Sequence, residues 1–416
     1  MKKTNLIIIS LLLLCVIMFN TVGCSSMSSA NLMRSIKPNK VSPADDLFDA
    51  NGNATDFAVR LFKAANEGGK NTLISPLSVM CALAMTVNGA DGETRKQMED
   101  MFGMSAEELN LYIYSYMSSL PQEKKYKLNL ANSIWFTDNE NFTVNEKFLQ
   151  INADYYGADI YKVPFNKGTL KDVNNWVEKK TDKMIPKILD ELSENAIMYL
   201  INALAFEAEW SDIYKKDQVS NGIFTKEDGT QQDAVFMYST EGKYLEDKDA
   251  TGFIKYYSGN KYAFVALLPD ENVSLSEYIS SLDGDSLYKL LSEAENKSVR
   301  TAIPKFETEY STELSAVLKS MGMENAFNGA TADFSKLGNT AGDNLFISRV
   351  IHKTFIQVGE KGTKAGAATA VEIKCTSIDR PDDQKQVYLD RPFVYMLIDC
   401  ENNVPFFIGS MTDIKK

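Results

Sequence analysis

The sequence predicts one large α+β domain in which helical segments dominate the first half and strands the second. Its 416 residues are 44% hydrophobic and 24% charged, which is ordinary for a globular chain with a sizeable core. Apolar residues recur at helical spacing in several early segments, whereas later segments are rich in β-branched and aromatic residues. From about residue 51 onward there is no linker-like stretch, repeat or low-complexity segment, so we treat 51–416 as one domain.

The first 23 residues are expected to be an export signal rather than part of the fold. Two lysines precede the apolar run LIIISLLLLCVIMF, which is too short for a good transmembrane span. The following TVGC resembles a bacterial lipobox, although Thr21 replaces the usual leucine. We therefore expect removal of residues 1–23, a lipid on Cys24 and a polar tether over residues 24–50. Such a protein is an exported lipoprotein of the cell surface or outer membrane, anchored in a membrane; plain secretion, with Cys24 as an incidental thiol, is the alternative.

Charge and cysteine usage exclude several classes of partner. The formal net charge of −12 argues against nucleic acid, whose phosphates bind cationic surfaces. Beyond the candidate lipid site, Cys81, Cys375 and Cys400 show neither a disulfide framework nor zinc-site spacing. Cys81 and Cys400 lie in apolar contexts and are predicted to be buried packing residues. We expect no metal and no cofactor.

The clearest helix signals lie in NTLISPLSVMCALAMTVNGADGETRKQM, residues 71–98. Ser75 suits an N-cap, Pro76 the first helical position and Gly89 the stop. Thr94 and Gln97 form a capping-box pattern that predicts the start of the next helix. Further helices are predicted in NEKFLQINADYYG, in STELSAVLKSMG, and in TLKDVNNWVEKKTDKMIPKIL, where Val173, Trp176, Val177 and Met184 form an apolar stripe.

Strands are predicted in NLANSIWFT, ADIYKVPF and IMYLINALAFEAEW, which are rich in β-branched and aromatic residues. FIKYYSGNKYAFVALLPD predicts two strands around a Gly259-Asn260 turn. RPFVYMLIDCENNVPFFIGSM predicts a second hairpin near the end of the chain.

The stretch VGEKGTKAGAATAVEIKCTS, residues 358–377, follows the alternating segment HKTFIQV and is itself predicted to form a strand. From Thr363 onward, small or apolar residues occupy every second position, and all three charges fall on the other face. A strand with one buried face requires this division. Small inward residues would let such a strand enter between existing strands, and Gly362 could act as its hinge because glycine changes backbone angles cheaply.

These segments, taken in order over roughly residues 50–412, resemble the serpin family. NTLISPLSVMCALAMTVNGADGETRKQM is similar to the family's Asn-x-x-x-Ser-Pro-x-Ser helix start and its Gly-Ala-x-Gly-x-Thr-x-x-Gln-Met continuation. INALAFEAEW, IPKFETEYSTELSAVLKSMGMENAF, ISRVIHK, VGEKGTKAGAATA and RPFVYMLID resemble later signatures, whereas TDKMI departs from the usual Thr-x-Gly-Lys-Ile. The resemblance implies an α+β serpin fold with a large five-stranded central sheet, two smaller sheets, about nine helices and an exposed reactive-centre loop.

The resemblance also implies a suicide-substrate inhibitor of serine proteases rather than an enzyme. A target protease would attack the loop and form an acyl-enzyme, and the cleaved loop would insert into the central sheet before hydrolysis. The protein is expected to act as a monomer, bound covalently to its target protease. The alternative is a non-inhibitory surface binding protein or carrier with the serpin fold, which a bulky or charged inward hinge residue would favour. The loop hinge implied by the resemblance comprises Glu360, Gly362, Thr363, Ala365, Ala367 and Ala368.

The reactive bond is inferred by counting from the hinge. The family's spacing from Glu360 places it at Thr376–Ser377, which suits an elastase- or subtilisin-like pocket for small side chains. Lys374–Cys375 is the alternative and would suit a trypsin-like protease. Counting back from RPF instead gives a later bond, near Pro381–Asp382.

A second set of positions concerns sheet opening. Ser75, Ser78, Asn202 and His352 match family positions beneath the main sheet, and Trp210 matches a tryptophan near its top. The resemblance implies that they control opening; the alternative is that they are satisfied polar groups of the core. His352 is the only histidine and lies in an apparent buried strand, so a Ser-His-Asp hydrolase is not expected.

Overall fold

Helices and strands are mixed along the chain without a regular alternation, as the α+β prediction requires. The computed structural model describes residues 30–44, 46–120, 126–193, 195–340, 344–363 and 384–414. Within these ranges there are nine α-helices: α1 (Phe48–Ala65), α2 (Pro76–Val87), α3 (Gly92–Phe102), α4 (Ala106–Ser119), α5 (Glu146–Tyr156), α6 (Lys167–Lys180), α7 (Leu275–Ser281), α8 (Gly284–Ser292) and α9 (Ser315–Ser320).

The same ranges contain 17 strands, arranged in three sheets. They are β1 (Thr72–Ile74), β2 (Tyr126–Thr137), β3 (Phe142–Val144), β4 (Asp159–Val163), β5 (Met198–Glu209), β6 (Val219–Thr225), β7 (Gln231–Glu246), β8 (Ala250–Tyr256), β9 (Tyr262–Pro269), β10 (Glu295–Pro304), β11 (Phe306–Glu313), β12 (Gly338–Thr340), β13 (Arg349–Gly359), β14 (Gly362–Thr363), β15 (Lys385–Tyr388), β16 (Phe393–Asp399) and β17 (Val404–Met411).

The central sheet has the order β11-β13-β14-β5-β2-β4, in which five strands are full and β14 has only two residues. β13 and β5 pair directly and in parallel from Arg349 opposite Tyr199 to Phe355 opposite Ala205. Above that level β14 lies between them and pairs antiparallel with both. The predicted five-stranded central sheet is therefore confirmed, and the predicted hinge Gly362 and the first residue of the predicted loop strand, Thr363, already lie inside it.

Nine of the remaining strands form a second sheet, which is continuous through the 16-residue β7. The beginning of β7 pairs with β6, and its last four residues pair with β8. From β8 the hydrogen-bonded order continues through β9, β16 and β17 to β1, and β10 and β15 follow on the other edge of β7. A separate two-stranded ladder joins β3 and β12. Both predicted hairpins, β8–β9 and β16–β17, are confirmed.

The core is densest around α2, all twelve residues of which are buried. This helix lies between the central sheet, where it contacts β2 and β5, and β17 of the second sheet. Ser75 is its N-cap, as predicted, and accepts a hydrogen bond from the Ser78 amide. A helix that is apolar all round can be stable only when it is buried on every side, and this position between two sheets meets that requirement.

Two predictions about helix ends are wrong, and in the first of them the residues that suggested the helix start make tertiary contacts instead. α3 begins at Gly92, so Thr94 and Gln97 do not form a capping box at its start. The Thr94 hydroxyl instead accepts from the Asp333 amide at 2.9 Å, and Gln97 Oε1 accepts from the Asn325 amide at 2.9 Å. Met184 is buried but lies beyond the end of α6, so it does not belong to that helix's apolar stripe.

Part of the predicted tether lies on the domain. The Leu32 amide donates to the Ile160 carbonyl of β4 at 2.8 Å, and the Asn39 amide donates to Asp154 Oδ1 of α5 at 2.6 Å. Leu32 and Ile36 also pack against the core, which is why this stretch does not behave as a free polar linker. The other predictions for this terminus, the 1–23 signal and the lipid on Cys24, concern residues outside the described ranges. No helix among the described ranges is long and apolar enough to span a membrane.

Candidate functional site

The predicted hinge lies at the upper end of the central sheet, where β13 turns into β14. Thr363 pairs with Val358 on one side and Ala208 on the other, and its side chain is fully buried. Its hydroxyl is hydrogen-bonded to the hydroxyl of Tyr257. The Thr363 side chain therefore faces inward in the central sheet. Of the other hinge positions, Glu360 and Gly362 are described, whereas Ala365, Ala367 and Ala368 lie outside the described residues.

Gly362 is required for more than flexibility. Its φ of +150° lies in a region that side chains rarely tolerate. A Cβ atom at this position would lie 2.0 Å from the carbonyl oxygen of Ala208. Only glycine therefore allows the chain to turn from β13 and lie directly against β5.

Two residues that follow β5 hold the turn between β13 and β14, and we call them the hinge clamp: Trp210 and Tyr214. The Trp210 amide donates to the Lys361 carbonyl at 2.9 Å, and its indole Nε1 donates to the Gly359 carbonyl at 2.8 Å. The Tyr214 amide donates to the Glu360 carbonyl at 2.9 Å. Three successive carbonyls of the turn are therefore fixed by the clamp.

Glu360 makes a further contact with Lys305, whose Nζ lies 2.8 Å from its Oε1. Partial burial opposes ionisation of Glu360, but the hydrogen bond and the charge of Lys305, together with a backbone hydrogen bond, outweigh it, and the pKa of the carboxyl lies below its usual value. Both side chains are about 40% exposed, with relative accessibilities of 39% and 40%. Exposed ion pairs contribute little to stability, so we regard this contact as orienting the turn.

A row of polar side chains crosses the sheet lower down, and we call it the polar row: Asn132, Asn202, His352 and Thr312. The first three are opposite one another in register on β2, β5 and β13, and Thr312 of β11 is opposite His352. Asn202 Nδ2 donates to Asn132 Oδ1 at 2.8 Å and to the Ser78 carbonyl. His352 Nδ1 lies 2.5 Å from Asn202 Oδ1.

His352 also joins the row to the first turn of α2, because its Nε2 accepts from the Ser75 amide at 3.1 Å. Since Nε2 accepts, the proton of the neutral ring is on Nδ1 and is donated to Asn202. Complete burial lowers the pKa of His352 to about 3. A second proton would also place an N–H group against the Ser75 amide, so the neutral form is the one that fits. The Ser78 amide donates to the Ser75 hydroxyl, so Ser78 belongs to the same cluster.

The predicted sheet-opening residues therefore separate into two places. Ser75, Ser78, Asn202 and His352 come together as predicted, at a level where β13 and β5 are still directly paired. Trp210 does not belong with them, because it lies eight residues beyond Asn202, roughly 26 Å farther along the strand direction. Being close to the top of the sheet, it acts on the hinge instead.

Three residues of the polar row and the hinge contacts were not predicted from the sequence. Asn132 stands among other polar residues, Asn129 and Ser133, in the strand NLANSIWFT, so its own polarity was no distinctive signal. Lys305 and Tyr214 carried none, because their partners lie far away in sequence. The candidate reactive bonds, Thr376–Ser377 and Lys374–Cys375, fall outside the described residues.

The described ranges hold no group of three or more histidine, cysteine or acidic side chains placed to bind a metal ion. Cys81 is buried as predicted, and burial raises the pKa of its thiol far above the usual value. Cys400 is only partly buried, with its pKa raised to about 12 by burial. Neither thiol has the lowered pKa of a reactive cysteine.

Comparison with known proteins agrees with this geometry. Residues 52–414 match the family model described as serpin, serine protease inhibitor. The human leukocyte elastase inhibitor is 29% identical over 85% of this chain and 97% of its own length. An uncharacterised serpin-like protein of Thermococcus kodakarensis is also 29% identical, over 86% of this chain and 84% of its own.

Among solved structures, the thermophilic serpin tengpin in its native state is 49% identical and superposes with a TM-score of 0.89, covering 92% of this chain and 99% of its own. Tengpin in its latent state is 48% identical, covers 90% and 100%, and has a TM-score of 0.79. The described fold is therefore more similar to the native form. The match to the family model spans most of the sequence, and the five-stranded central sheet with its glycine hinge is the architecture expected of that family: the chain belongs to the serpin family.

Proposed function

We propose that this protein inhibits serine proteases by inserting its cleaved reactive loop into the central sheet. The observation that carries the proposal is the position of Gly362 and Thr363 between β13 and β5. Below them the same two strands pair directly with each other. Separation of this one pair would open a site for the rest of the loop.

The existing register indicates how far the loop can go. Thr363 is opposite Val358 and Ala208, and each further residue of an antiparallel strand moves one position down both neighbours. Thr369 would then lie between His352 and Asn202, and Glu372 would lie at the level where the pairing of β13 with β5 begins. Insertion must therefore break the contact between His352 and Asn202.

The direct pairing of β13 with β5 is long enough to accept the loop as far as Glu372 once the two strands separate. This length supports a reactive bond a few residues after Glu372. We propose Thr376–Ser377, with Lys374–Cys375 as the alternative. About ten ladder hydrogen bonds at roughly 0.5–1.5 kcal/mol each would be comparable to the whole stability of a domain. Before cleavage both ends of the loop are tied, since Thr363 is in the central sheet and β15 pairs with β10. Cleavage frees one end, and the strand can then pair fully.

The proposed target is an elastase- or subtilisin-like protease. Thr376 would present a small side chain to the pocket of such an enzyme, and a curated relative carries the name leukocyte elastase inhibitor. The inhibitor supplies no chemistry of its own, because displacement of the acylated protease would disturb the alignment of the protease's own oxyanion hole and general base.

We further propose that the protein is a monomer, is exported, and is anchored through a lipid on Cys24 at the cell surface or outer membrane.

The test is incubation with elastase-, subtilisin- and trypsin-like proteases, followed by electrophoresis in SDS and mass measurement of the released fragment. An SDS-stable complex with at least one protease is expected, together with a fragment that begins at Ser377. A fragment that begins at Cys375 would select the alternative bond. Loop cleavage with full protease activity in every case would contradict inhibition and indicate a non-inhibitory binding protein.

A further inference from the structure

A buried lysine lies directly behind the hinge clamp. Lys255, on β8, has a side chain that is only 2% exposed. Its Nζ lies 2.8 Å from Oε1 of Glu241 on β7, whose side chain is 13% exposed. A lysine is rarely buried to this degree unless it is paired, so its position demands an explanation.

The ammonium group of Lys255 contacts both members of the hinge clamp. Its Nζ lies 5.4 Å from a ring centroid of Trp210 and 4.5 Å from that of Tyr214. A cation at such distances is attracted to the face of an aromatic ring, and the attraction is strongest where water is excluded. One buried charge thus contacts the rings of the two residues that hold residues 359–361, through two backbone amides and the Trp210 indole.

The partner of the lysine is itself fixed. Glu241 Oε1 accepts from the Ser239 hydroxyl at 2.6 Å, and Ser239 is 2.9 Å from Thr301 Oγ1 of the neighbouring β10. The Tyr214 hydroxyl is 3.2 Å from Ser239 Oγ. The cation is therefore held by a network anchored in β7 and β10, outside the central sheet.

We propose that Lys255 is a positioning residue for loop insertion, which keeps Gly362 and Thr363 inside the central sheet by orienting Trp210 and Tyr214. The inference rests on the proposed function, because it assigns a role in the same insertion step. Insertion that has already begun needs only to be extended after cleavage. Loss of the lysine lets the first residues leave the sheet, and insertion then competes less well with hydrolysis of the acyl-enzyme.

The test variant is Lys255→Met/Glu241→Gln, which removes both charges and leaves no buried carboxylate unpaired. Gln keeps an acceptor for Ser239, and neutral replacement of a buried ion pair need not destabilise a protein. The matched control is Lys226→Met/Asp413→Asn, because Lys226 and Asp413 form a half-buried ion pair at 3.1 Å that does not include the clamp.

The first measurement is hydrogen exchange of the Trp210 and Tyr214 amides, which is independent of inhibition. Exchange about fivefold faster than in the wild type is expected in the test variant, and no change is expected in the control. Unchanged exchange at both amides would overturn the proposal, whether or not the protein inhibits a protease.

The second measurement is the number of inhibitor molecules consumed per protease inactivated, with the unfolding free energy recorded alongside it. The proposal expects this number to rise at least about twofold in the test variant even where the unfolding free energy is unchanged. A purely structural role predicts the opposite direction, because a weakened sheet opens more easily and inserts faster. An unchanged or lower number would overturn the proposal. If the wild type inhibits nothing, the proposed function fails, and the exchange result alone decides the role of Lys255.

Discussion

His352 Nδ1 lies 2.5 Å from Oδ1 of Asn202, its in-register partner across the direct pairing of β13 and β5. Both side chains are fully buried, and the ring is held from below by the Ser75 amide. The contact joins the two strands that must separate if the loop is to insert. It also places the only histidine of the chain at the level that Thr369 would reach.

Stability should fall in acid because of this residue. The pKa of His352 is about 3 in the folded chain against an ordinary value of 6.5, so between these values the unfolded chain binds an extra proton. Its contribution is fully present above pH 6.5 and is lost progressively as the pH falls toward 3, by roughly 2–3 kcal/mol at pH 4.5. Denaturant unfolding at pH 7.5 and 4.5, in the wild type and in His352→Gln, checks this. Since carboxylates titrate in both proteins, an identical loss of stability in the two would refute the assignment.

Gly362→Ala should abolish loop insertion. The added methyl group would overlap the Ala208 carbonyl oxygen, and the φ of +150° would be strained, so β14 could not lie against β5. Gly359→Ala is the control, because a Cβ there meets nothing within 4 Å. The variants are compared by the amount of protease that each inhibits and by the heat resistance of each cleaved protein. Inhibition by Gly362→Ala equal to that of Gly359→Ala would show that the close approach is unimportant.

Trp210→Phe should slow insertion beyond its effect on stability. The ring would still stack on Tyr257, whose centroid is 4.4 Å away, but the hydrogen bond to the Gly359 carbonyl would be lost. Trp135→Phe removes a comparable indole bond, to Ser133 at 2.7 Å, away from the hinge. Each variant should lose about 1 kcal/mol of unfolding free energy. Only for Trp210→Phe should the number of inhibitor molecules used per protease inactivated rise. Equal numbers for the two variants would argue against the role of the hinge clamp.

Thr363→Arg should convert the inhibitor into a substrate. The Thr363 side chain is fully buried between β13 and β5, and a guanidinium group there would be buried without a partner. The protease should still cut the same bond, as the mass of the released fragment would show. Gln357→Arg, at an exposed position of β13, should leave inhibition unchanged. Retained inhibition by Thr363→Arg would disprove the inward-facing assignment.

Much of the fold could be read from local sequence because the signals were local. Ser75 and Pro76 start α2 as predicted, and the Gly259-Asn260 turn joins β8 to β9. Predictions were wrong where a side chain serves a distant partner: Thr94 and Gln97 have the spacing of a capping box but bind residues more than 200 positions away.

The same distinction between local signals and distant contacts applies to the candidate functional site. The inward face of Thr363 follows from a period of two, which sequence displays directly. The pairing of Lys255 with Glu241, and their contact with Trp210, depends on how β7 and β8 meet the end of β5. Lys255 occurs within a strand-like run and gave no sign of being buried. The apolar Leu32 and Ile36 in the predicted tether were a missed signal of packing on the domain.

Cleavage should let the reactive loop become a full strand of the central sheet. This outcome is tested most directly by thermal unfolding of the protein before and after a single cut within residues 364–383 by a protease that is not inhibited. Insertion of about ten residues should raise the unfolding temperature by at least about 10 °C, since the added pairing is worth several kcal/mol. An unfolding temperature that is unchanged or lower after the cut would contradict the account.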